Sequence, residues 1–494
     1  MTVLKKGWPP CRWAPISFNT LLNNFPVPYK EIDDAAIRFF TGVIGNENVL
    51  ADAENLDRCA TDHTEDLHYR PALVLQPQNT AEISAIMQYC HGQHIPVTPR
   101  GAGTGLSGGA LPVYGGVCLD MRRMNRILSI DTQNFQVITE PGVITEVLQQ
   151  AVRAKGLFYP PDPASRGSCF IGGNIAENSG GPRAVKYGVV KDYVLNLEIV
   201  LPDGTVMWTG ANVLKNATGY NLTQLIVGSE GTLCVVTKIV LRLIPAVTQD
   251  LLLLIPFRKA HEACAAVNTI CLSGLTPSAL EFMERDALDC AINYFPASGI
   301  TVPEDIQAHL LVELDGHHTE QLFREAETIS ELMQQYDTGE ILFAESAEQK
   351  QTLWKLRRIV GEAVKGNSIY KEEDTVVPRA FLPELLACVK ATGKKYGFRS
   401  VCYGHAGDGN LHVNIVKGNM SDGDWKHTLP LGIREIFEKV VQLGGTISGE
   451  HGIGFVQKHY MDIAFSEAQL ALMKSIKHIF DPKEIMNPGK IFVP

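Results

Sequence analysis

Pro99-Arg100-Gly101-Ala102-Gly103-Thr104-Gly105-Leu106-Ser107-Gly108-Gly109 places five glycines in eleven positions, between strands predicted at 95–98 and 117–120. So much glycine costs conformational entropy unless the backbone must bend tightly or lie close to a ligand. Without β-carbons in the way, the amide N–H groups of such a turn can converge on an anion, and a pyrophosphate is the natural guest. Gly103, Gly105 and Gly108 also spell G-x-G-x-x-G, which marks a nicotinamide-dinucleotide turn when a helix follows. The residues that follow are Gly109-Ala110-Leu111-Pro112-Val113-Tyr114-Gly115-Gly116, which cannot begin a long helix, so the dinucleotide reading is rejected.

Outward from this turn the pattern is mixed α and β. A buried strand at 72–75 leads to Asn79, which caps a helix carrying Glu82 at its third position, and Gly92 is expected to end that helix. A strand at 136–139 precedes a helix at 144–155 stopped by Gly156. Further strands fall at 194–201, before the Pro202-Asp203-Gly204 turn, and at 232–243. Pro245 marks a boundary. Beyond it, a strand at 309–314 alternates with amphipathic helices at 320–335 and 349–364, and a last helix at 467–480 follows Ser466. The first 50 residues read as a surface extension with a short helix near 33–40.

Two more glycine-rich segments follow the first. One is Pro160-Pro161-Asp162-Pro163-Ala164-Ser165 with Ile171-Gly172-Gly173-Asn174-Ile175-Ala176-Glu177-Asn178-Ser179-Gly180-Gly181; the other is Val227-Gly228-Ser229-Glu230-Gly231-Thr232-Leu233. Small residues let the backbone approach a flat ligand closely. In this order and spacing the three segments resemble the FAD-binding domain of the vanillyl-alcohol oxidase and p-cresol methylhydroxylase superfamily. The resemblance implies that Pro99, Arg100, Gly101, Ala102, Gly103, Thr104, Gly105, Gly108 and Gly109 cradle the pyrophosphate. Pro161, Asp162, Ser165, Gly172, Gly173, Asn174, Ala176, Asn178, Gly180, Glu230, Gly231 and, from the tail, Asn487 would hold the rest. Many members attach the flavin through a histidine at the position of Thr104; threonine cannot form that bond, so noncovalent FAD is expected.

Near the C-terminus, Tyr403-Gly404-His405-Ala406-Gly407-Asp408-Gly409-Asn410-Leu411-His412-Val413-Asn414 reads as two strands joined by a Gly-Asp-Gly-Asn turn that folds His405 back toward His412. Period-two alternation puts His412 and Asn414 on one face. Ser448-Gly449-Glu450-His451-Gly452-Ile453-Gly454 sets an acid beside an imidazole in a glycine-flanked turn. Two histidines and a carboxylate make an open site for a divalent ion, leaving His451 free as a base. A lone histidine is more often a hydrogen-bonded structural residue, and His309, His317, His318 and His427 are read that way.

These segments, with Met486-Asn487-Pro488-Gly489-Lys490, resemble the branch that holds D-lactate dehydrogenases, D-2-hydroxyglutarate dehydrogenases and the glycolate oxidase catalytic subunit. The resemblance implies an α+β fold: an extension and domain start at 1–66, a two-subdomain FAD-binding domain of the p-cresol methylhydroxylase (PCMH) type at 67–246, an α+β FAD-linked oxidase C-terminal (substrate) domain at 247–460, and a helix and tail at 461–494 returning to the FAD domain. It makes His405, His412 and Glu450 ligands of a divalent metal, zinc ahead of iron or manganese, His451 the base, and Asn414 a substrate contact. It also carries Arg357, after Trp354, and Lys371, after Tyr370, onto the substrate carboxylate. The family's threonine one helical turn past that arginine is Gly361 here, which tilts the expectation toward short acids such as D-lactate or glycolate.

Composition bounds the rest. The 54 acidic against 44 basic residues, net −10, leave no basic footprint for nucleic acid. Eleven scattered cysteines without a C-x-x-C pair argue against an iron–sulfur cluster or a disulfide framework and for a cytoplasmic protein of reduced thiols. The segment 1–20, interrupted by Trp8-Pro9-Pro10, supports neither a signal nor a spanning helix, so any membrane association would be peripheral, through a partner. A separate electron acceptor is therefore expected: an iron–sulfur partner subunit, an electron-transferring flavoprotein, a quinone or a cytochrome. Homo-oligomerisation stays open. The alternatives are a D-2-hydroxyglutarate dehydrogenase, a metal-free flavin alcohol oxidase using oxygen, and a non-catalytic flavoprotein scaffold.

Overall fold

Strand and helix alternate after Pro71 in a computed structural model that describes residues 28–64, 67–296, 299–344 and 346–493. The segment 1–20 lies outside the described residues. Leu73–Leu75, Val117–Asp120 and Val97–Arg100 pair in parallel, and Val49–Leu50 joins the edge antiparallel. Their covering helix Thr80–Gln93 starts as its sequence predicts: the Asn79 side chain accepts from the Glu82 amide at 3.0 Å, and the Glu82 carboxylate accepts from Gln78 at 2.8 Å. It runs past Gly92, and His94 makes the left-handed cap instead.

The expectation of a surface extension fails from residue 28 onward. Helix Asp34–Ile44 buries Ala36, Phe40 and Ile44 in the same core as Ile83, Ile86 and Met87. Its apolar positions four residues apart share one face, which needs a partner more than it needs water.

A second, antiparallel sheet takes the order Ile127–Asp131, Gln136–Thr139, Val235–Arg242, Val194–Val200, Val206–Trp208. Helix Thr145–Arg153 packs Leu148 and Val152 into its core. Strand Ile244–Pro245 then pairs with Leu157–Phe158, and the chain enters a third sheet at Gln249.

That third sheet has seven strands, in the order Leu342–Phe343, Gln249–Phe257, Ala308–Gly316, Ala279–Glu284, Arg399–His405, Asn410–Val416, Tyr370–Val376, all antiparallel. One face is sealed by helices Ala260–Leu272, Thr319–Met333, Leu382–Tyr396 and Leu429–Gln442. The other packs on Arg285–Tyr294, Ala347–Arg358 and Val360–Asn367. The single helix predicted at 349–364 is two, meeting at Ile359, where the β-branched pair Ile359-Val360 and Gly361 weaken helical continuity.

Helix Glu467–Phe480, capped by Ser466 and Gln469, leads the tail back to the first sheet. There Val97 donates to the Ile485 carbonyl and Asn487 donates to that of Val97, both at 2.8 Å, so residues 485–487 form a single parallel bridge to the strand that leads into the first glycine-rich turn.

Candidate active site

All three glycine-rich segments line one open cleft of about 480 Å³. Gly103 has φ +76°, and a β-carbon there would strike the Arg100 guanidinium at 2.1 Å, so glycine is favoured at this position. That guanidinium donates to the carbonyls of Thr61, at 2.7 Å, and Arg58, at 3.3 Å; Arg100 therefore anchors the turn while its backbone faces the cleft. No atom lies within 4 Å of where a β-carbon would stand on Gly105 or Gly173. This bare backbone suits a flat, phosphate-bearing cofactor.

Pro99, Gly101, Ala102, Thr104, Gly109, Ser165, Gly172, Asn174, Ala176, Glu230 and Gly231 also line the cleft. Other expected cofactor residues do not reach it and lie in the structure around it. The Pro161 carbonyl accepts from Gln149, and Gly108 packs against Phe455. Asp162 is buried by ion pairs with Arg166 and Arg358, so its charge is already neutralised. Asn178 caps helix Ile171–Glu177 in the left-handed region, its side-chain Oδ1 accepting from the Lys191 amide. Asn487 donates to the carbonyls of Gly109 and Glu230, both at 2.9 Å. Gly180 makes room for Glu450: a β-carbon there would sit 2.7 Å from its carboxylate.

At the far end of the cleft the hairpin Arg399–His405 to Asn410–Val416 sets the His405 and His412 rings 5.2 Å apart, edge to face. His405 Nε2 is 3.1 Å and His412 Nε2 3.6 Å from Glu450 Oε1. The three ligand atoms lie within 4.8 Å of one another. His451 stacks on His412, ring centroids 5.2 Å apart and 10° from parallel. Arg357 points into the same cleft, 2.7 Å from Glu281, its guanidinium 4.9 Å from the Tyr403 ring centre. Its Nε makes no hydrogen bond, leaving a buried donor for a ligand.

Two carboxylates that sequence reasoning missed, Glu281 and Asp374, organise this end together with Glu230. Glu281, from strand Ala279–Glu284, holds His405 Nδ1 at 2.9 and 3.0 Å, which turns Nε2 toward Glu450. Burial opposes charge on His405, but Glu281 and Glu450 outweigh it and raise its pKa to about 10. Burial pushes His412 down to about 3, despite Asp374 at 3.5 Å from its Nδ1, and keeps it a neutral donor. Burial would also raise the Glu450 carboxyl, yet His405 holds it down near 2. Asp374 accepts from the amides of Gly449, Glu450 and His451 at 2.8, 2.7 and 2.9 Å, and Glu230 from those of Ile453 and Gly454 at 2.8 and 2.6 Å. The loop that presents Glu450 and His451 is thus hung from two buried acids. Two imidazole nitrogens and one carboxylate oxygen, with the His405 ring oriented by Glu281 and the Glu450 backbone held by Asp374, form a donor set that fits a divalent cation.

Lys371 is a correction. Strand alternation turns Tyr370 and Glu372 into the cleft and Lys371 to the opposite face, so the cleft wall carries a carboxylate where a cation was expected. Burial raises the Glu372 pKa; His451 and a 3.2 Å hydrogen bond from the Tyr403 hydroxyl act against it. Asn414 is fully buried beside Glu372, off the cleft surface, with neither amide atom in a hydrogen bond of normal geometry. The missed signal was the alternating Glu372 and Asp374 in a strand that is otherwise interior.

Residues 71–210 match the family described as FAD binding domain, and residues 248–491 match FAD linked oxidases, C-terminal domain. The chain is 35% identical to a D-lactate dehydrogenase of Anaerostipes hadrus over 94% of its own length and 98% of that protein. It is 39% identical to the glycolate oxidase subunit GlcD of Bacillus subtilis, over 87% and 91%. A D-2-hydroxyglutarate dehydrogenase of Stutzerimonas stutzeri shares 34%, over 93% and 99%. Among solved structures, p-cresol methylhydroxylase with substrate bound superposes with a TM-score of 0.77 at 17% identity, covering 94% of this chain and 98% of that one. That likeness concerns the fold.

Proposed function

The chain belongs to the FAD-linked oxidoreductases of the D-lactate, glycolate and D-2-hydroxyglutarate dehydrogenase group, and from that premise we propose that it oxidises a short D-2-hydroxy acid, D-lactate or glycolate, to the 2-oxo acid. The observation that carries the reading is the convergence of His405, His412, Glu450, His451 and Arg357 at one end of the cleft lined by the FAD-binding segments.

His405, His412 and Glu450 would hold a divalent cation, zinc ahead of iron or manganese, and Arg357 would take the substrate carboxylate on its planar fork. When bound, the cation supplies positive charge against the developing alkoxide and FAD supplies the acceptor for the C2 hydride. His451 takes the hydroxyl proton; its ring is held by stacking on His412 and its backbone by Asp374. Thr104 offers no imidazole, so the flavin is read as dissociable. Short acids are favoured because Gly361 presents no hydroxyl to a distal carboxylate.

Electrons must then leave the flavin. The ten described cysteines are free and scattered, and one relative is named a subunit, which supports a separate acceptor on a partner. Among the described residues no helix is long and apolar enough to cross a membrane.

Anaerobic mixing with D-lactate or glycolate should bleach the flavin absorbance, His451→Ala should lower the bleaching rate by about 100-fold or more, and acid denaturation should release free FAD. A flavin that neither acid nor D-2-hydroxyglutarate bleaches would overturn the assignment.

A further inference from the structure

We propose that Glu372 is a specificity-determining residue that rejects 2-hydroxy acids bearing a second carboxylate and admits those with a short uncharged side chain. The inference rests on the hydroxy-acid reading above and adds the chemistry of the side chain it accepts.

Glu372 stands on the edge strand Tyr370–Val376, paired with Asn414 and two residues from the Asp374–His412 pair on the same face. A carboxylate oxygen of Glu372 and ring nitrogens of His412 and His451 lie within 4.8 Å of one another. A substrate whose hydroxyl meets His451 therefore brings the substituent on its reacting carbon close to Glu372. The acid is held there: the Tyr403 hydroxyl donates to it, and the same tyrosine's ring packs under Arg357. Gly361 belongs to this arrangement. A β-carbon at that position would lie 3.1 Å from the Tyr403 hydroxyl, so a larger residue would crowd the donor that fixes Glu372.

A second substrate carboxylate would meet a like charge away from bulk water, where repulsion is strong. The cations around the cleft already have other partners. Arg357 is needed for the first carboxylate and already faces Glu281. Arg358 is engaged by Asp162, Arg100 by the Thr61 carbonyl, and Lys365 by that of His63. An uncharged methyl group or hydrogen at the same place meets no such penalty.

The test measures binding as well as turnover. Pyruvate and 2-oxoglutarate are titrated into the FAD-loaded protein and their Kd values read from the flavin absorbance shift, alongside kcat and KM for D-lactate and D-2-hydroxyglutarate. We expect the wild-type protein to bind pyruvate at least tenfold more tightly than 2-oxoglutarate. Glu372→Gln should shrink that ratio about tenfold, and the gain for D-2-hydroxyglutarate should fall mainly on KM. Gly361→Ala, whose β-carbon crowds the Tyr403 hydroxyl that fixes Glu372 without adding a hydroxyl of its own, should shrink it in the same direction and serves if the first variant loses its flavin. A wild-type protein that prefers the dicarboxylate, or a ratio unchanged in the variants while D-lactate still bleaches the flavin, overturns the role of Glu372 alone. No bleaching by any 2-hydroxy acid overturns the hydroxy-acid reading beneath it.

Discussion

Glu281 and Asp374 show how much of this site depends on atoms that never face the cleft. Each carboxylate fixes one face of an imidazole or a loop amide so that the other face is aimed, which is how outer residues tune a metal site. Glu281→Gln keeps the shape of the residue but removes the charge beside His405 Nδ1 and Arg357. It should weaken divalent-metal affinity by about 10- to 100-fold, read by calorimetric titration of the chelator-treated protein; unchanged affinity would remove Glu281 from the ligand shell. His405, His412, Glu450 and His451 were legible because glycines flank them. Glu281 was not, since its contact with His405 spans 124 residues and needs the register of two strands.

The strand Tyr370–Val376 concentrates three acids in one buried element, with consequences for stability and for reading. Alternation puts Glu372 in the cleft wall, Asp374 on the same side of the strand beneath the Glu450-His451 loop, and Glu373 on the other side, where Gln457 donates to it at 2.6 Å. Burial raises the Glu373 pKa from 4.5 to about 7. The folded protein thus binds this proton more tightly than the unfolded chain does. The neutral acid costs nothing below pH 4.5, and stability falls as pH rises through 7, by at most about 3 kcal/mol. Glu373→Gln should therefore raise Tm at pH 8 and do little at pH 5, a comparison for thermal melts at the two values. The same alternation explains the misplacement of Lys371. A Tyr-Lys pair names residues but not the face they occupy, and the face depends on which side of the sheet meets the cofactor domain.

Segments far apart in the chain interlock across the described residues. Residues 485–487 bridge to the first sheet, and the Asn487 side chain ties the first glycine-rich turn to the third through Gly109 and Glu230. Glu230 in turn holds the loop of Glu450 and His451, so the flavin cradle and the proton acceptor share one support. Asn487→Ala leaves two carbonyls without their donor. It should lower FAD affinity roughly tenfold, since a buried unpaired polar group costs about 1–3 kcal/mol. Flavin fluorescence titration of the apoprotein measures this, and an unaltered Kd would show that the tail is dispensable to the cradle. The helix Asp34–Ile44 makes the same point at the other end of the chain, packing into the core from a segment that reads as surface.

Local chemistry was written in the amino-acid order: the glycine-rich turns, the caps at Asn79 and Ser466, the histidine hairpin and the Glu450-His451 turn. Each of these needs only neighbours a few positions away. Which acids stand behind the histidines, which way Lys371 and Glu372 point, and how the tail braces the first turn were settled by folding. They depend on strand register and on the meeting of surfaces hundreds of residues apart, and no local pattern encodes such distances.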